Sequence, residues 1–444
     1  VEVNEIDKQS GSTLTLGGSG TAVTLASGAT KSGFGTTVDW QTTKKTTSFT
    51  AANGEGYFVD TAASGAVTMT LPSSPSAGNI VAVKDYNGNF ATANLTIARN
   101  GSPINGGNAA DVIVNTDGAS IVLVYVDGTQ GWVATQDDES TFTGKNFLTA
   151  TGGTITTCGN DKIHTFTGPG TFTVSQVSSC APENIVSYMV IAGGGGAGHS
   201  YPTSNGGGGG GAGGYREIKN PVTPYTASPL DGFGTPANQV TVTASAFPIT
   251  VGGGGPGHTP SAAGTAGSNS IFSTITSAGG GKGGANGPGS GSPSNPTTGG
   301  SGGGGAGGTS AAALGGGSAG NTPSVTPPQG NAGGDNYKVG TGNPPDNPAA
   351  GGGGAGAAAP DAPTGAGGNG GAGTTTSING TPTTRAGGGA GGGSPNGTGG
   401  TGGGGGTGQL NATDNTGGGG GGTMNGSNGG NGASGIVIIR YRFQ

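Results

Sequence analysis

The stretch I-V-S-Y-M-V-I-A-G-G-G-G, residues 185–196, joins an apolar segment directly to a run of glycine. Residues 185–191 have the pattern of a buried β-strand. The glycine run opens a tract in which one residue in three is glycine, because 85 of the 109 glycines fall in the last 254 residues. The chain closes on 436–443, I-V-I-I-R-Y-R-F, which alternates as a strand does. We therefore predict two strands of one small sheet that bracket the glycine tract.

The glycine tract has two alternative states, disorder or packed rods. Glycine loses more backbone entropy on folding than any other residue, so such a tract is flexible unless something compensates. Pinning both ends to one sheet favours order, and left-handed helices of three residues per turn can pack almost in contact when glycine is frequent. Their backbone groups then bond to neighbouring helices. We predict polyglycine II rods over 193–435, with turns at these Pro, Asn, Thr and Ser clusters: Pro256, 292–296, 321–328, 344–348, 374–384 and 409–415.

The base of this tract is predicted to be a β-hairpin and sheet over 139–192. Residues 163–174 form two strand-like segments joined at Gly168-Pro169-Gly170, and 240–243 and 247–251 are candidates for the same sheet. Cys158 and Cys180, the two cysteines of the chain, flank this hairpin. They form either a disulfide, which suits an extracellular protein, or two free thiols. Their spacing does not indicate a metal site.

The N-terminal third has a different pattern. Between 37 and 138, apolar segments recur about every 10 to 15 residues with turn-forming residues between them, which predicts an antiparallel β-sandwich or barrel. Residues 1–36 carry shorter Thr, Leu and Val alternations, which indicate a β-rich attachment or shaft segment that intertwines with identical chains. We interpret the aromatic residues of the sandwich as core or subunit-interface residues: Trp40, Tyr57, Phe58, Tyr86, Phe90, Tyr125 and Trp132.

These patterns predict an all-β chain without substantial α-helix. The predicted parts are an attachment segment (1–36), a β-sandwich (37–138), a sheet base (139–192), a polyglycine II domain (193–435) and a closing β-strand (436–444). Only 30% of the residues are hydrophobic and 8% are charged, with a net charge of −6. Such a chain cannot form a large side-chain core, and it lacks the high net charge typical of disordered proteins. The structure is therefore expected to be held largely by its backbone.

Several classes of partner and activity are disfavoured. Lys and Arg do not cluster, which argues against nucleic acid, and the longest apolar run, 121–126, is too short to cross a membrane. Matches to G-x-G-x-x-G such as 209–214 arise by chance in a tract this rich in glycine. His164, His199 and His258 are isolated and belong to no pattern with a neighbouring carboxylate or cysteine, which predicts structural or exposed roles. The sequence predicts no catalytic residue, no cofactor and no metal site.

Strings in both halves resemble known fibre proteins. Residues 56–61 (GYFVDT), 71–86 (LPSSPSAGNIVAVKDY) and 119–127 (ASIVLVYVD) resemble modules of tail-fibre and other virion-fibre proteins of tailed bacteriophages. Residues 164–174, 190–196 and 434–441 resemble the glycine-rich C-terminal domain of phage fibres and bacterial surface proteins. The resemblance implies an extracellular homotrimeric adhesin on the virion surface. Its N-terminal region would join other tail or capsid proteins, and its inter-rod loops would contact a host surface protein or glycan.

The candidates for receptor binding are bulky or polar residues that interrupt the glycine tract: His199, Tyr201, His258, Tyr337, Lys338, Arg385, Leu410 and Asn411. Aromatic and Arg side chains are preferred contact residues, and Tyr201, Tyr337 and Arg385 are predicted to lie on an exposed tip. The main alternative is a structural subunit of a capsid decoration fibre or bacterial extracellular filament with no receptor. A binder of ice or glycan surfaces and a tailspike-type hydrolase are further alternatives. Exposure of the inter-rod loops at one end favours the adhesin, and their burial against a next subunit favours the filament.

Overall fold

A computed structural model describes residues 38–106, 111–137, 147–178, 180–200, 205–259, 264–286, 293–308, 316–336, 347–406, 409–424 and 426–443. The helices in these ranges are two short 3-10 turns, Ala181–Asn184 and Pro236–Asn238. The prediction of an all-β chain is therefore confirmed. No helix in the described ranges is long and apolar enough to span a membrane. The predicted attachment segment 1–36 lies outside the described residues.

The chain divides into two compact units, Val1–Gly144 and Lys145–Gln444. The first is a sandwich of two sheets with the strand orders β1-β3-β5-β8-β9 and β2-β4-β6-β7. Its strands are β1 (Asp39–Lys45), β2 (Phe49–Thr50), β3 (Glu55–Val59), β4 (Val67–Thr70), β5 (Ile80–Asp85), β6 (Leu95–Ala98), β7 (Val112–Val114), β8 (Ser120–Asp127) and β9 (Gly131–Asp137).

The sequence analysis predicted an antiparallel sandwich, but the sandwich contains both parallel and antiparallel strand pairs. From β1 to β6 the chain changes sheet at every strand, so neighbours within a sheet are two strands apart in sequence and run in the same direction. The pairs β1/β3, β3/β5, β2/β4 and β4/β6 are accordingly parallel. Antiparallel pairing begins where the chain stays in one sheet or reverses, at β6/β7, β5/β8 and β8/β9.

The core of this unit lies between the two sheets. In β4 Val67 and Met69 are buried while the intervening threonine is only half-buried, which is the period-two pattern of a strand with one face inward. Trp132, Tyr57 and Phe90 belong to this core, as predicted. Trp40 and Tyr86, however, are 37% and 52% exposed and lie outside it.

The second unit contains two larger sheets, with the orders β11-β12-β23-β14-β15 and β10-β13-β16-β17-β18, and two small hairpins. The bounds are β10 (Thr149–Thr151), β11 (Thr154–Cys158), β12 (Asp161–Phe166), β13 (Gly170–Gln176), β14 (Ser187–Ile191), β15 (Tyr215–Ile218), β16 (Ala246–Thr250), β17 (Ser270–Phe272), β18 (Ile275–Ser277), β19 (Ala285–Asn286), β20 (Pro293–Ser294), β21 (Thr374–Thr376), β22 (Thr383–Arg385) and β23 (Ile436–Arg442).

The closing strand β23 lies at the centre of the first of these sheets, between β12 and β14. Ile191, the last residue of β14, is opposite Ile436, the first residue of β23. The two ends of the glycine tract therefore leave the sheet side by side, which confirms the predicted bracket. Both strands are buried on both faces: one face packs on the facing sheet around Phe172, and the other packs on the glycine tract around Ile378.

The predicted hairpin around Gly168-Pro169-Gly170 is wrong. Its two strands, β12 and β13, lie in different sheets, and β13 pairs with β10 and β16 instead. A hairpin would have brought Cys158 and Cys180 together at its open end. Because the strands separate into two sheets, this closure does not form, and both cysteines are free thiols.

Candidate functional site

The glycine tract leaves β14 as an extended rod, 192–198, with a repeat of three residues. Residues three apart donate their N–H to the same neighbouring segment, through N···O distances of 2.8–3.0 Å: 193 and 196 to 265–268, 194 and 197 to 430–433, and 195 and 198 to 208–211. A helix with three residues per turn presents three such faces and makes no hydrogen bond within itself. This pattern is that of the polyglycine II rod predicted from the sequence.

The same rod accepts hydrogen bonds from three further segments: 255–258, 280–283 and Gly420. It thus has six bonded neighbours, as in hexagonal packing. The next rod, 206–214, is bonded in the same way to segments within 192–198, 278–284, 301–307, 347–353, 389–392 and 417–423. The backbone, rather than a side-chain core, holds this part of the molecule, which explains how a chain with few hydrophobic residues is ordered.

Glycine is required because the rods are nearly in contact. A Cβ built on Gly195 would lie 2.1 Å from the carbonyl oxygen of Gly281, and one on Gly210 would lie 2.0 Å from that of Gly195. Side chains fit at the few rod positions that point between neighbours, such as Ala197 and Ala212, which are fully buried. Contrary to the prediction, Pro256 is not a turn but lies within rod 252–258, where its carbonyl accepts from the N–H of Thr265.

The rods run alternately away from the sheets and back, so their described turns fall at two ends. The base end adjoins the sheets and carries the hairpin of β21 and β22. The opposite end, which we call the distal end, is formed by the described residues that follow or precede the outer tips of the rods: 199–200, 205, 258–259, 285–286, 364–365, 393–396, 424 and 426–428.

The sequence candidates are distributed over both ends. Arg385 ends β22 at the base and is only 8% exposed, so its predicted place on an exposed tip is wrong. Burial lowers the pKa of its guanidinium, and the nearby Tyr215 and Glu217 oppose that shift. The hairpin of β21 and β22 is held against β15, because Thr376 Oγ1 donates to the buried carboxylate of Glu217 at 2.5 Å.

The other candidates have different environments. His199 is 3% exposed and therefore buried, whereas His258 is half-buried, both at the distal end. Leu410 is half-buried and Asn411 is exposed on a loop at the side of the bundle. Tyr201, Tyr337 and Lys338 lie outside the described residues. Receptor binding by any of these residues remains a prediction.

Asn411 borders an open groove on the side of the bundle, with a volume of about 380 Å³. The groove lies between rods 252–258 and 429–435 and the loop 409–415. It is lined by Gly254, Pro256, Asn411, Ala412, Asp414, Asn431, Gly432 and Ser434. We call it the side groove.

Backbone-directed hydrogen bonds fix the side groove. The Oδ1 atom of Asn411 accepts from the N–H of Asn431 at 2.9 Å, and the Oδ1 atom of Asn431 accepts from the N–H of Gly257 at 2.8 Å. Ser434 Oγ accepts from the N–H of Asn415 at 3.0 Å. The loop is thereby attached to rod 429–435, which is itself bonded to rod 252–258, and the groove keeps its shape without a side-chain core.

The side groove presents polar groups to solvent. Asn411, Asp414 and Asn431 are exposed, so the groove offers a carboxylate and amide groups above a glycine floor that a ligand can approach closely. Such groups bind hydroxyl-rich molecules through hydrogen bonds. The sequence reasoning found Asn411 but missed Asp414, Asn431 and Ser434. The polar cluster 411–415 was a usable signal, whereas Asn431 and Ser434 join it only through rod packing.

The described residues contain no group of three or more His, Cys, Asp or Glu side chains placed to hold a metal ion. Together, the fold and the bundle define a class: an all-β protein whose closing sheet brackets a hydrogen-bonded glycine-rich tract. Residues 165–442, more than half of the chain, match the model of the family described as a glycine-rich domain, and the chain belongs to that family. The match begins in β12 and ends with β23, so it covers the whole bracket. No curated protein matches the chain.

Proposed function

We propose that the chain is a virion fibre protein of a tailed bacteriophage, and that its glycine-rich domain binds a receptor on the host-cell surface. The observation that carries this proposal is the side groove, an open polar site built on a scaffold of hydrogen-bonded rods. The resemblance of 56–61, 71–86 and 119–127 to virion-fibre modules supports the phage assignment. The family match supports the glycine-rich domain alone and leaves the phage assignment a proposal.

The rods and the loops of the bundle have separate roles. Binding residues are commonly placed on loops that a rigid scaffold positions. In this bundle the scaffold consists of backbone hydrogen bonds, so its loops can differ in sequence without disturbing a side-chain core. A loop such as 409–415 needs only a few bonds to the rods, those from Asn411 and Asn415 among them.

The groove chemistry favours a surface glycan as the receptor. A volume of about 380 Å³ is at the small end of ligand sites in general, which suits a sugar unit rather than a folded protein surface. A single small polar site binds weakly, and several copies on one fibre raise the effective affinity through multivalency. The proposal therefore includes several copies of the chain per fibre, and the resemblance to virion-fibre proteins implies that they form a homotrimer.

The homotrimer gives a first testable prediction. Trp40, Tyr86, Ile113 and Val126 of the first unit are 37–56% exposed, and a subunit interface would cover them if they lie on one contiguous patch. We expect native mass spectrometry of the purified full chain to give the mass of three chains. A mass of one chain at micromolar concentration would contradict the trimer without touching the groove assignment.

Receptor binding gives a second prediction. Fluorescently labelled protein should bind a subset of bacterial isolates in a panel, and should compete with adsorption of the phage that carries it. Asp414→Ala and Asn411→Ala should each reduce cell-bound protein about 10-fold, since each removes a polar contact worth about 1.5 kcal/mol. Thr173→Ala, at an exposed position of β13 far along the chain from the groove, is the matched control and should bind as the wild type does.

Two outcomes would overturn the assignment. Binding that survives both groove variants would place the receptor site elsewhere. Assembly of the protein into filaments that bind no isolate in the panel would favour the alternative, a structural subunit without a receptor. Folding of each variant is checked by its thermal unfolding midpoint. We expect no change for Asp414→Ala, whose side chain is exposed, and a fall of a few degrees for Asn411→Ala, which also loses the bond to the N–H of Asn431, so Asp414→Ala is the decisive variant.

A further inference from the structure

Two of the three histidines of the chain meet at the distal end of the bundle. The ring centroids of His199 and His258 are 5.6 Å apart and their planes are inclined by 31°. His199 follows rod 192–198 and His258 ends rod 252–258, so their approach depends on rod packing. The backbone of His258 is held on both sides, because its N–H donates to Ala197 and its carbonyl accepts from Gly429, each at 2.9 Å.

The ring of His199 is buried and that of His258 is half-buried, and three of their four nitrogens lack a hydrogen bond among the described residues. Neither nitrogen of His199, nor Nδ1 of His258, has a hydrogen-bond partner among the described residues. Only 3% of the surface of His199 is exposed. The backbone of Gly426 is close enough to favour the charged form of His199 but makes no hydrogen bond of acceptable geometry with the ring. Buried polar atoms without a partner are rare in folded proteins, because each costs about 1–3 kcal/mol.

The third histidine shows what a satisfied ring looks like in this chain. Nδ1 of His164 is 2.7 Å from the carbonyl oxygen of Gly152, and Nε2 is 3.2 Å from the hydroxyl of Tyr441. Both nitrogens are thus used within the β-sheet unit. In contrast, three of the four ring nitrogens of His199 and His258 have no partner among the described residues and are available to a ligand.

The surroundings of both rings disfavour the charged imidazolium form. Burial lowers the pKa of His199, and burial also lowers the pKa of His258, with further contributions from His199 and Lys282. The nearby backbone of Thr259 opposes the shift of the pKa at His258. Neutral imidazole is the form that binds transition-metal ions. Lys282 is the charged group that acts against a bound cation, and its Nζ lies 3.4 Å from Ser294 Oγ.

The separation of the rings fits a shared metal ion. Two imidazoles that each give one nitrogen to a tetrahedral Zn²⁺ at about 2.0–2.1 Å have ring centroids about 5–6 Å apart. We infer that His199 and His258 form a two-histidine site for a divalent transition-metal ion. The ion connects the turn after rod 192–198 to the turn after rod 252–258. This site is independent of the side groove and of the proposed receptor.

Zinc titration of the full-length protein, purified without an affinity tag and stripped with EDTA, tests the inference. Isothermal titration calorimetry at pH 7.5 should give one Zn²⁺ per chain, and zinc should raise the thermal unfolding midpoint. His199→Gln and His258→Gln should each weaken zinc binding by about 100-fold or more, since each removes one of two protein ligands, and loss of a residue that only orients a ligand already costs about 10- to 100-fold. His164→Gln is the matched control and should bind zinc as the wild type does. Lys282→Gln should strengthen binding severalfold, because it removes a nearby positive charge.

The site would be ruled out by two results. One is the absence of zinc binding by the stripped wild-type protein up to millimolar Zn²⁺. The other is equal affinity in the wild type, His199→Gln and His258→Gln, which would indicate adventitious surface binding. X-ray absorption of the zinc-loaded wild type does not depend on the folding of any variant. It should show two imidazole ligands per zinc, and a spectrum without imidazole scattering would overturn the assignment.

Discussion

Gly195→Ala is expected to abolish the native rod bundle. The new Cβ would lie 2.1 Å from the carbonyl oxygen of Gly281 and 2.6 Å from its carbon. That carbonyl already accepts the N–H of Gly211 at 2.8 Å, so it cannot move away without breaking a bond of the neighbouring rod. Relief of the clash requires displacement of a rod that is bonded to six neighbours. We expect a loss of about 5 kcal/mol or more in the free energy of unfolding, because the obstacle is backbone rather than a flexible side chain.

Gly253→Ala is the matched control for this substitution. Gly253 lies in a neighbouring rod, has nothing within 4 Å of a built Cβ, and its φ lies outside the positive region. Alanine should therefore be neutral there or stabilise the protein by about 0.4–1 kcal/mol, through a smaller entropy of the unfolded chain. Thermal unfolding and hydrogen exchange of the amides of 193–198 measure both effects. Equal stability of the two variants would contradict the close-packed bundle.

The bracket and the rods could be predicted because their signals are local. The apolar run before Ile191 and the alternation after Ile436 identify two strands, and composition together with closure of the tract favours rods. Pro256 was misassigned as a turn because proline usually interrupts secondary structure. Its fixed φ matches that of an extended three-residue helix, and its missing N–H is tolerated at one rod position.

Sheet membership could not be predicted from the same local patterns. The turn Gly168-Pro169-Gly170 can connect two paired strands of one sheet or two strands of facing sheets, so its sequence does not distinguish these arrangements. The pairing of β13 with β10 and β16 places it in the facing sheet. The same limit applies to the parallel pairs of the first unit, since strand spacing carries no information on sheet changes.

The candidate sites depend even more on long-range packing. Asn411 and Asn431 meet only because loop 409–415 lies on rod 429–435. His199 and His258 are distant in sequence and meet through the hydrogen bond between the backbones of His258 and Ala197. A sequence in which one residue in three is glycine gives almost no information on which rods are neighbours, because the rods are nearly identical.

Arg440→Met is expected to destabilise the second unit by about 3–5 kcal/mol, since it leaves a buried carboxylate without its partner. Nε of Arg440 donates to Oδ2 of Asp161 at 2.7 Å, and both side chains are at most 2% exposed. The guanidinium also donates to the carbonyls of Ile378 and Pro224, each at 3.3 Å, and lies 5.1 Å from the ring centre of Tyr225.

This arginine thereby connects the closing strand β23 to β12 and to two loops of the glycine tract, so its loss should open the bracket itself. The double variant Arg440→Met with Asp161→Asn should be more stable than Arg440→Met alone, because it removes the unpaired charge together with its partner. Arg442→Met, on the same strand but half-buried near its end, is the control and should cause a small change. Denaturant unfolding of the wild type, Arg440→Met, Asp161→Asn and the double variant completes the cycle. If Arg440→Met unfolds at the wild-type midpoint, the pair does not hold the closing strand, and the bracket is then stabilised by apolar burial around Ile438 and Ile439 alone.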